Sequence, residues 1–427
     1  MLNLGICAVI FVFFTVIGIP LAFSLGLSAA MGLIMGGYRL DLIGMSVLSA
    51  PQSWVLLAVP AFIFAGVLME RCEISQRLVD LARETVGWVR GGLGMTVVGS
   101  EILFSGVSGS SLADVSAIGS MLTGPLIRAG YSPPHAVSII AASTGMGILI
   151  PPCIFMIVLG TITSTSVVGI FLGAILPGIA QAFCLLGMIY WMAIRMGWPS
   201  DARPNLRRFL RAFYRALVPL VVPILILGGF RYGIFTATEA GGVCAFYAVL
   251  VALVIWRNVS FSEIIKITLD SAVLSASATL LLGSAMIYQY LIGVSGITQV
   301  IVKIMLPLES MPWLFLAFVA ALGIFFGLVM EGLPAAMIMV PVVFPVVNKI
   351  GVHPIHFAVV LTSAIGIGFF MPPTGVGLLT ALRFANLSIT EQWKSYLPYL
   401  LALFIGLLII ILVPQLSLIL PRSAGIN

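Results

Sequence analysis

Apolar residues run through this chain in stretches of about 20, the length an α-helix needs to span a bilayer, separated by short polar or Gly/Pro-bearing breaks. The pattern predicts crossings at about 3–18, 20–37, 52–70, 134–158 and 167–194, then at about 214–231, 236–256, 267–292, 354–382 and 396–420. Two further apolar stretches, 94–127 and 311–349, are each too long for one straight crossing. The first is broken at Ser105-Gly-Val-Ser-Gly-Ser-Ser-Leu-Ala-Asp114 and the second at Gly327-Leu-Val-Met-Glu-Gly-Leu-Pro334, so each is predicted to be a re-entrant helical hairpin. Irregular backbone at membrane depth is tolerated only where protein or a water-filled cavity covers it, and both tips are therefore expected to line a site. Between crossings, Ile74 to Val89 sets Ile74, Leu78, Leu81 and Val89 on one face and Arg77, Asp80, Arg83 and Glu84 on the other, as in an interfacial helix.

Composition agrees with that pattern. Of 427 residues 61% are hydrophobic and 8% charged, against roughly 25% charged in a soluble domain, so the chain reads as a membrane protein with no separate soluble domain. A nucleotide-hydrolysing module is excluded by the lack of any G-x-x-x-x-G-K-[ST] sequence. The formal charge of +6 reflects basic residues that hold loops on the cytoplasmic side, not a nucleic-acid partner. Cys7, Cys72, Cys153, Cys184 and Cys244 lie singly in apolar surroundings without C-x-x-C spacing, which makes them packing residues. No basic leader or A-x-A site precedes the first apolar segments, so no cleaved signal is expected.

The chain also repeats itself. Gly130-Tyr-Ser-Pro133-Pro-His135 returns as Gly351-Val-His-Pro354-Ile-His356 after 221 positions, and the same offset carries Gly145 onto Gly366, Gly147 onto Gly368 and Pro151-Pro152 onto Pro372-Pro373. With the N-terminus outside, 15 basic residues fall on the cytoplasmic side and 5 outside, in the direction of the positive-inside rule. Five crossings per half is odd, so the second copy enters from the opposite side. The expected fold is an all-α polytopic membrane protein built as an inverted repeat: 1–200 with hairpin 94–127, a basic cytoplasmic linker 201–213, and 214–427 with hairpin 311–349. Secondary transporters use this architecture and bind their ligands near the midplane, at the repeat interface.

Few residues are left for chemistry. Ser108, Ser110 and Ser111 with Gly106 and Gly109 put hydroxyls and free carbonyls at one tip, as a desolvated hard cation requires. Equally, Ser111-Leu-Ala-Asp114 fits the helix-capping pattern [ST]-x-x-[DE], and a cap and a functional role for Asp114 are compatible. Thr144-Gly145-Met-Gly147 before Ile150-Pro151-Pro152, and Gly366-Ile-Gly368 before Met371-Pro372-Pro373-Thr374, interrupt two long helices. The freed carbonyls suit a cation and the N-terminus of the second half-helix an anion, the plain alternative being a packing kink. Glu331 at the second tip either lines the cavity or pairs with a basic residue, and Glu239 fits a solvated role near the outer surface. His135 and His356 begin the helices after the hairpins; with three His in all, a transition-metal site is not expected. Gly106-Val-Ser108-Gly109 also carries the short G-x-S of intramembrane serine proteases, an enzyme reading that would need a base beside the serine.

These residues resemble the large membrane subunit, DctM type, of tripartite ATP-independent periplasmic (TRAP) transporters. SGVSGSSLADVSAIGSMLTGPLIRAGY is similar to that family's first-hairpin run, and the I-P-P break, the tip Glu331 to Pro334 and the second M-P-P-T-G break follow in the family's order. Departures are Cys153 where P-P-S is usual and Ala237-Thr-Glu-Ala where P-T-E-A is. The resemblance implies an elevator-type, sodium-coupled importer of organic acids in the bacterial inner membrane, with no cofactor beyond Na+. It further implies a periplasmic substrate-binding protein and a small four-helix membrane subunit, expected here as a separate polypeptide. On the tip and break residues themselves, sodium is expected at Ser108, Gly109, Ser110, Thr144, Gly145, Gly147, Gly327, Gly332, Ser363, Gly366 and Gly368. Substrate falls to Ser111, Asp114, Pro151, Pro152, Glu331, Pro372, Pro373 and Thr374. A self-sufficient sodium/anion symporter on the same architecture is the alternative.

Overall fold

A computed structural model describes residues 2–49, 52–72, 74–200 and 205–426. The described residues form helices and connecting turns, with no strand, and eight of the helices are long and apolar enough to cross a membrane. The chain opens with α1 (Leu2–Val16), α2 (Leu21–Met35), the short α3 (Asp41–Ser49) and α4 (Ala58–Arg71). An amphipathic α5 (Ile74–Val86) leads into the first hairpin, α6 (Gly92–Ser108) and α7 (Ser111–Arg128). After it come α8 (Pro133–Gly147), α9 (Ile154–Thr163) and the 30-residue α10 (Val167–Met196). The second half runs α11 (Leu206–Arg231), α12 (Ala237–Leu250), α13 (Phe261–Ser295) and α14 (Ile297–Met305) to a second hairpin, α15 (Pro312–Val329) and α16 (Gly332–Ile350). The last elements are α17 (Pro354–Phe369), α18 (Val376–Arg383), α19 (Ile389–Leu412) and α20 (Gln415–Ser423).

Two of these helices lie at the centre. From His135 to Gly147 α8 is buried on every side, as is α17 from Ile355 to Phe369, which is what helices apolar all round their circumference require. Each starts on proline, whose missing N–H costs nothing in the first turn. They cross at Gly145 and Gly366, where a methyl on either glycine would run into the other's carbonyl oxygen; only hydrogen at Cα lets the two backbones come this close. Around this pair pack the two hairpins, α9, α10 and α19. A second group forms on α13, which contacts α2, α3 and α4, with α12 on α4. Its outward faces carry exposed Val, Phe, Leu and Ile, such as Phe23, Phe246 and Val273, as surfaces that meet lipid or a partner do.

The elements depart from the sequence pattern in three places. Of the expected linker 201–213, residues 201–204 lie outside the described residues, and the remainder is not loop: α11 begins at Leu206, capped by the Asn205 side chain, which accepts the Arg207 amide at 2.9 Å. Leu206, Phe209, Leu210 and Phe213 recur at helical spacing among the arginines, so the basic run is the first turns of a helix. The interruptions expected within crossings 134–158 and 354–382 are present, each being two helices with an irregular break between them. In α5 the residues Ile74, Leu78, Leu81 and Ala82 are buried, against α6 and α11, so protein and not lipid covers that face, and Val89 lies beyond the helix end. Finally, α3 and α14 occupy stretches that no expected crossing or hairpin covers; both are nine residues long, too short for a spanning signal.

Candidate functional site

The hairpins turn in different ways. At the first tip α6 ends on Gly109 at φ +67°, a left-handed conformation that glycine adopts at no steric cost, and α7 restarts two residues later. At the second, extended Met330 and Glu331 separate α15 from α16. Both tips reach one cavity of about 430 Å³, which Ser108 and Ser110 line from the first hairpin and Glu331, Leu333 and Pro334 from the second. Ile63, Gly66 and Glu70 of α4 and Leu274, Ser277 and Leu281 of α13 close the other side. A smaller space of about 80 Å³ continues between the tips, lined by Gly109, Ser110, Ser111 and Cys153 on one side and Glu331, Gly332 and Phe369 on the other. The larger cavity's lining includes the acids Glu70 and Glu331 and no Lys, Arg or His. An anion entering there meets backbone dipoles at the starts of α7 and α16, whose N-cap residues Ser110 and Glu331 make no side-chain capping bond.

Beneath the first tip lies a file of buried polar groups, of which only Ser108 reaches the cavity. Glu101, Ser105 and Ser108 fall at i, i+4 and i+7 on α6, hence on one face. Ser108 Oγ donates to the carboxylate of Asp114 on α7, and Ser105 Oγ donates to the Gly147 carbonyl of α8 at 2.8 Å. Glu101 Oε2 accepts from Thr144 Oγ1 at 3.2 Å, while its Oε1 has no hydrogen-bond partner. Glu101 and Asp114 are 0% and 1% exposed.

The two helix breaks are each tied to a hairpin. The first is fixed to α6 by the Ser105–Gly147 bond, and the Ile154 amide reaches the Gly109 carbonyl at 3.5 Å. The second is fixed by Thr374 Oγ1, which donates to the Leu328 carbonyl of α15 at 2.9 Å. The Pro151-Pro152 and Pro372-Pro373 bonds are both cis.

Of the residues singled out from the sequence, Ser108, Gly109, Ser110, Ser111, Glu331 and Gly332 line these two spaces. Thr144, Gly145, Gly147, Pro151 and Pro152 are buried behind the first tip. Gly327 and Gly368 press on the backbone of the facing helix at Ile365 and Ile324, and Ser363 Oγ donates to Gln181 Oε1 at 3.3 Å. Pro373 and Thr374 are exposed. Two assignments change. The capping box at Ser111 and Asp114 does not form: Ser110 is the N-cap, and the turn at Gly109 sets Ser108 across from Asp114, whose carboxylate accepts a hydrogen bond from the Ser108 hydroxyl. Glu239 is not simply solvated, since with Thr236 it forms a true capping box on α12. Glu101 went unnoticed because a single acid in an apolar run carries no motif. Its only signal was the charge itself, at membrane depth. As for a serine nucleophile, Ser108 has no imidazole beside it: His135 contacts Tyr399, His356 contacts Ser417, and His353 caps its own helix.

Known proteins share this architecture. A crystal structure of the Alcanivorax borkumensis YdaH transporter matches with a TM-score of 0.63 over 96% of this chain and 98% of that one, at 17% identity, which speaks for the fold alone. The C4-dicarboxylate TRAP transporter large permease protein DctM of Pseudomonas aeruginosa is 32% identical over 95% of both chains. The isethionate TRAP transporter permease protein DctMQ of Oleidesulfovibrio alaskensis is 32% identical over 94% of this chain, which spans 63% of that protein's length. With such permeases as relatives and eight membrane-length helices, the chain is a multi-pass protein of the bacterial inner membrane with a transport role. The sequence profile of the tripartite ATP-independent periplasmic transporter DctM component matches residues 8–416, and to that family the chain belongs.

Proposed function

We propose that this chain is the permease of a sodium-coupled importer of small organic acids, a C4-dicarboxylate, sialic acid or a similar carboxylate. A periplasmic binding protein delivers the substrate, and a small four-helix membrane subunit completes the assembly. The observation that carries this reading is the convergence of both hairpin tips on one cavity of about 430 Å³, within the range of small-ligand sites. Since that lining has no basic side chain, a carboxylate there must be balanced by helix N-termini and by accompanying cations. Sodium held at Ser108, Gly109, Ser110 and Thr144 near one tip, and at Gly332, Ser363 and Gly366 near the other, supplies that balance. The hairpins, α8 and α17 travel together in an elevator movement against the group around α13.

Reconstitution tests this. With the small subunit, an inward sodium gradient and a substrate-loaded binding protein, the chain should accumulate its organic acid, and omitting either sodium or the binding protein should remove nearly all uptake. Sodium-driven uptake of free substrate without a binding protein would replace this reading with the self-sufficient symporter.

A further inference from the structure

Two carboxyl groups, Glu101 and Asp114, are shut inside the first hairpin, and neither is ion-paired among the described residues. They are direct neighbours, one on each arm. An ionised carboxylate removed from water without a countercharge is strongly unfavourable, and a second one beside it adds repulsion. Hydroxyl donors soften this without cancelling it: Asp114 receives Ser108 and Glu101 receives Thr144, but Glu101 Oε1 receives nothing. The carboxyl packs directly on Gly147, and only glycine leaves room for it there, since a Cβ would collide with Oε1. With it come together the Asp114 carboxyl, the Thr144 and Ser105 hydroxyls and the Gly147 carbonyl, drawn from α6, α7 and α8. All are hard oxygens, the donor set of an alkali or alkaline-earth cation.

We propose that Glu101 is an anionic ligand of the coupling ion, so that the first sodium site is a carboxylate site of Glu101, Asp114 and Thr144 in the hairpin core, set behind the neutral oxygens of the tip. This rests on sodium being the coupling ion. It also takes Asp114 away from the substrate, consistent with its absence from the lining of both tip cavities. Sodium fits better than a divalent ion, because Ca2+ takes six to eight oxygens and usually more carboxylate, and no cluster of three acidic, His or Cys side chains occurs among the described residues. The site also couples three elements, because an ion bound there pulls α6, α7 and α8 together and closes the base of the tip.

The purified protein with its small subunit tests this without transport. In sodium chloride, against choline chloride at equal ionic strength, the wild-type melting temperature should rise with sodium concentration. Glu101→Gln keeps the shape and removes the buried charge. It should melt no lower than wild type in choline and need at least about tenfold more sodium for the same rise, the loss that removing even an outer partner of a metal ligand typically brings. Should that variant not fold, Thr144→Val should show the same direction of change. A full wild-type sodium response in Glu101→Gln, or a wild-type response to calcium and not to sodium, overturns the assignment. Uptake separates this from the broader reading: sodium-driven import with equal sodium dependence in wild type and Glu101→Gln defeats the Glu101 site alone. A Glu101-dependent sodium response in a protein whose uptake ignores sodium defeats the importer reading and keeps the site.

Discussion

Where α8 and α17 cross, a single hydrogen atom decides how near two central helices can lie. A Cβ on Gly366 would overlap the Gly145 carbonyl oxygen and the Ile148 side chain, neither of which can yield without moving α8. Gly366→Ala is therefore expected to destabilise the protein by roughly 1–3 kcal/mol, the usual cost of overpacking a tight core. Gly242→Ala, on an exposed face of α12 with nothing within 4 Å of the added atom, should be neutral or slightly stabilising. Melting temperatures of the two variants in one detergent check the contrast, and equal effects would mean the crossing is looser than described. These glycines also mark how far single residues were legible. Gly145 and Gly366 stood out by their shared offset, yet the sequence offered carbonyls for a cation and was silent on the backbone contact, because a contact between halves 221 residues apart leaves no local trace. Glu101 shows the opposite failure: its environment is distinctive in three dimensions and featureless in one.

Helix ends were legible by pattern, though not where the pattern was first noticed. Three Ser/Thr-x-x-Glu sequences, Thr236 to Glu239, Ser260 to Glu263 and Ser388 to Glu391, close reciprocal capping boxes on α12, α13 and α19. Ser111 to Asp114 does not, since the Asp114 carboxylate is already engaged by Ser108. The hairpins could be read from their Gly- and Ser-rich interruptions, whereas α3 and α14 lie in stretches too short to be recognised as membrane-length helices. One cap depends on pH. His353 precedes α17, and its Nδ1 accepts the Ile355 amide at 3.2 Å, which only the neutral ring can do. Partial burial, and after it the nearby positive charge of Arg422, hold the His353 imidazole below its ordinary range. With the folded-state value depressed, this stabilisation is complete above the unfolded pKa of about 6.5 and is lost as pH falls from there towards the folded value. His353→Asn caps at any pH, so relative to it the wild type should lose up to about 1 kcal/mol of stability on going from about pH 7.5 to about pH 5.5. A difference between the two proteins that does not change with pH would show that the cap contributes nothing.

At the scale of the whole molecule the open question is direction, because a bundle of helices reads the same from either side until something marks one surface. Charge does so here. The first turns of α11 carry Arg207, Arg208, Arg211 and Arg215, and with the crossings expected from the sequence these and the other basic residues of the same side outnumber those of the far side by 15 to 5. Such an excess is retained in the cytoplasm. Asn205 caps the start of that basic helix. Ser164 ends α9 and lines a different cavity, of about 650 Å³, with Thr161, Ser166, Phe235 and Thr236. One crossing, α10, follows Ser164 before the chain reaches Asn205, so the two positions should face opposite compartments. With native cysteines removed, a cysteine at Ser164 should react with an impermeant maleimide in intact cells, and one at Asn205 only after the membrane is permeabilised. The reverse pattern would invert the molecule and undo the orientation on which import rests. Labelling of both positions from outside would mean that α10 does not cross, and the odd number of crossings per half, with the inverted repeat built on it, would fall.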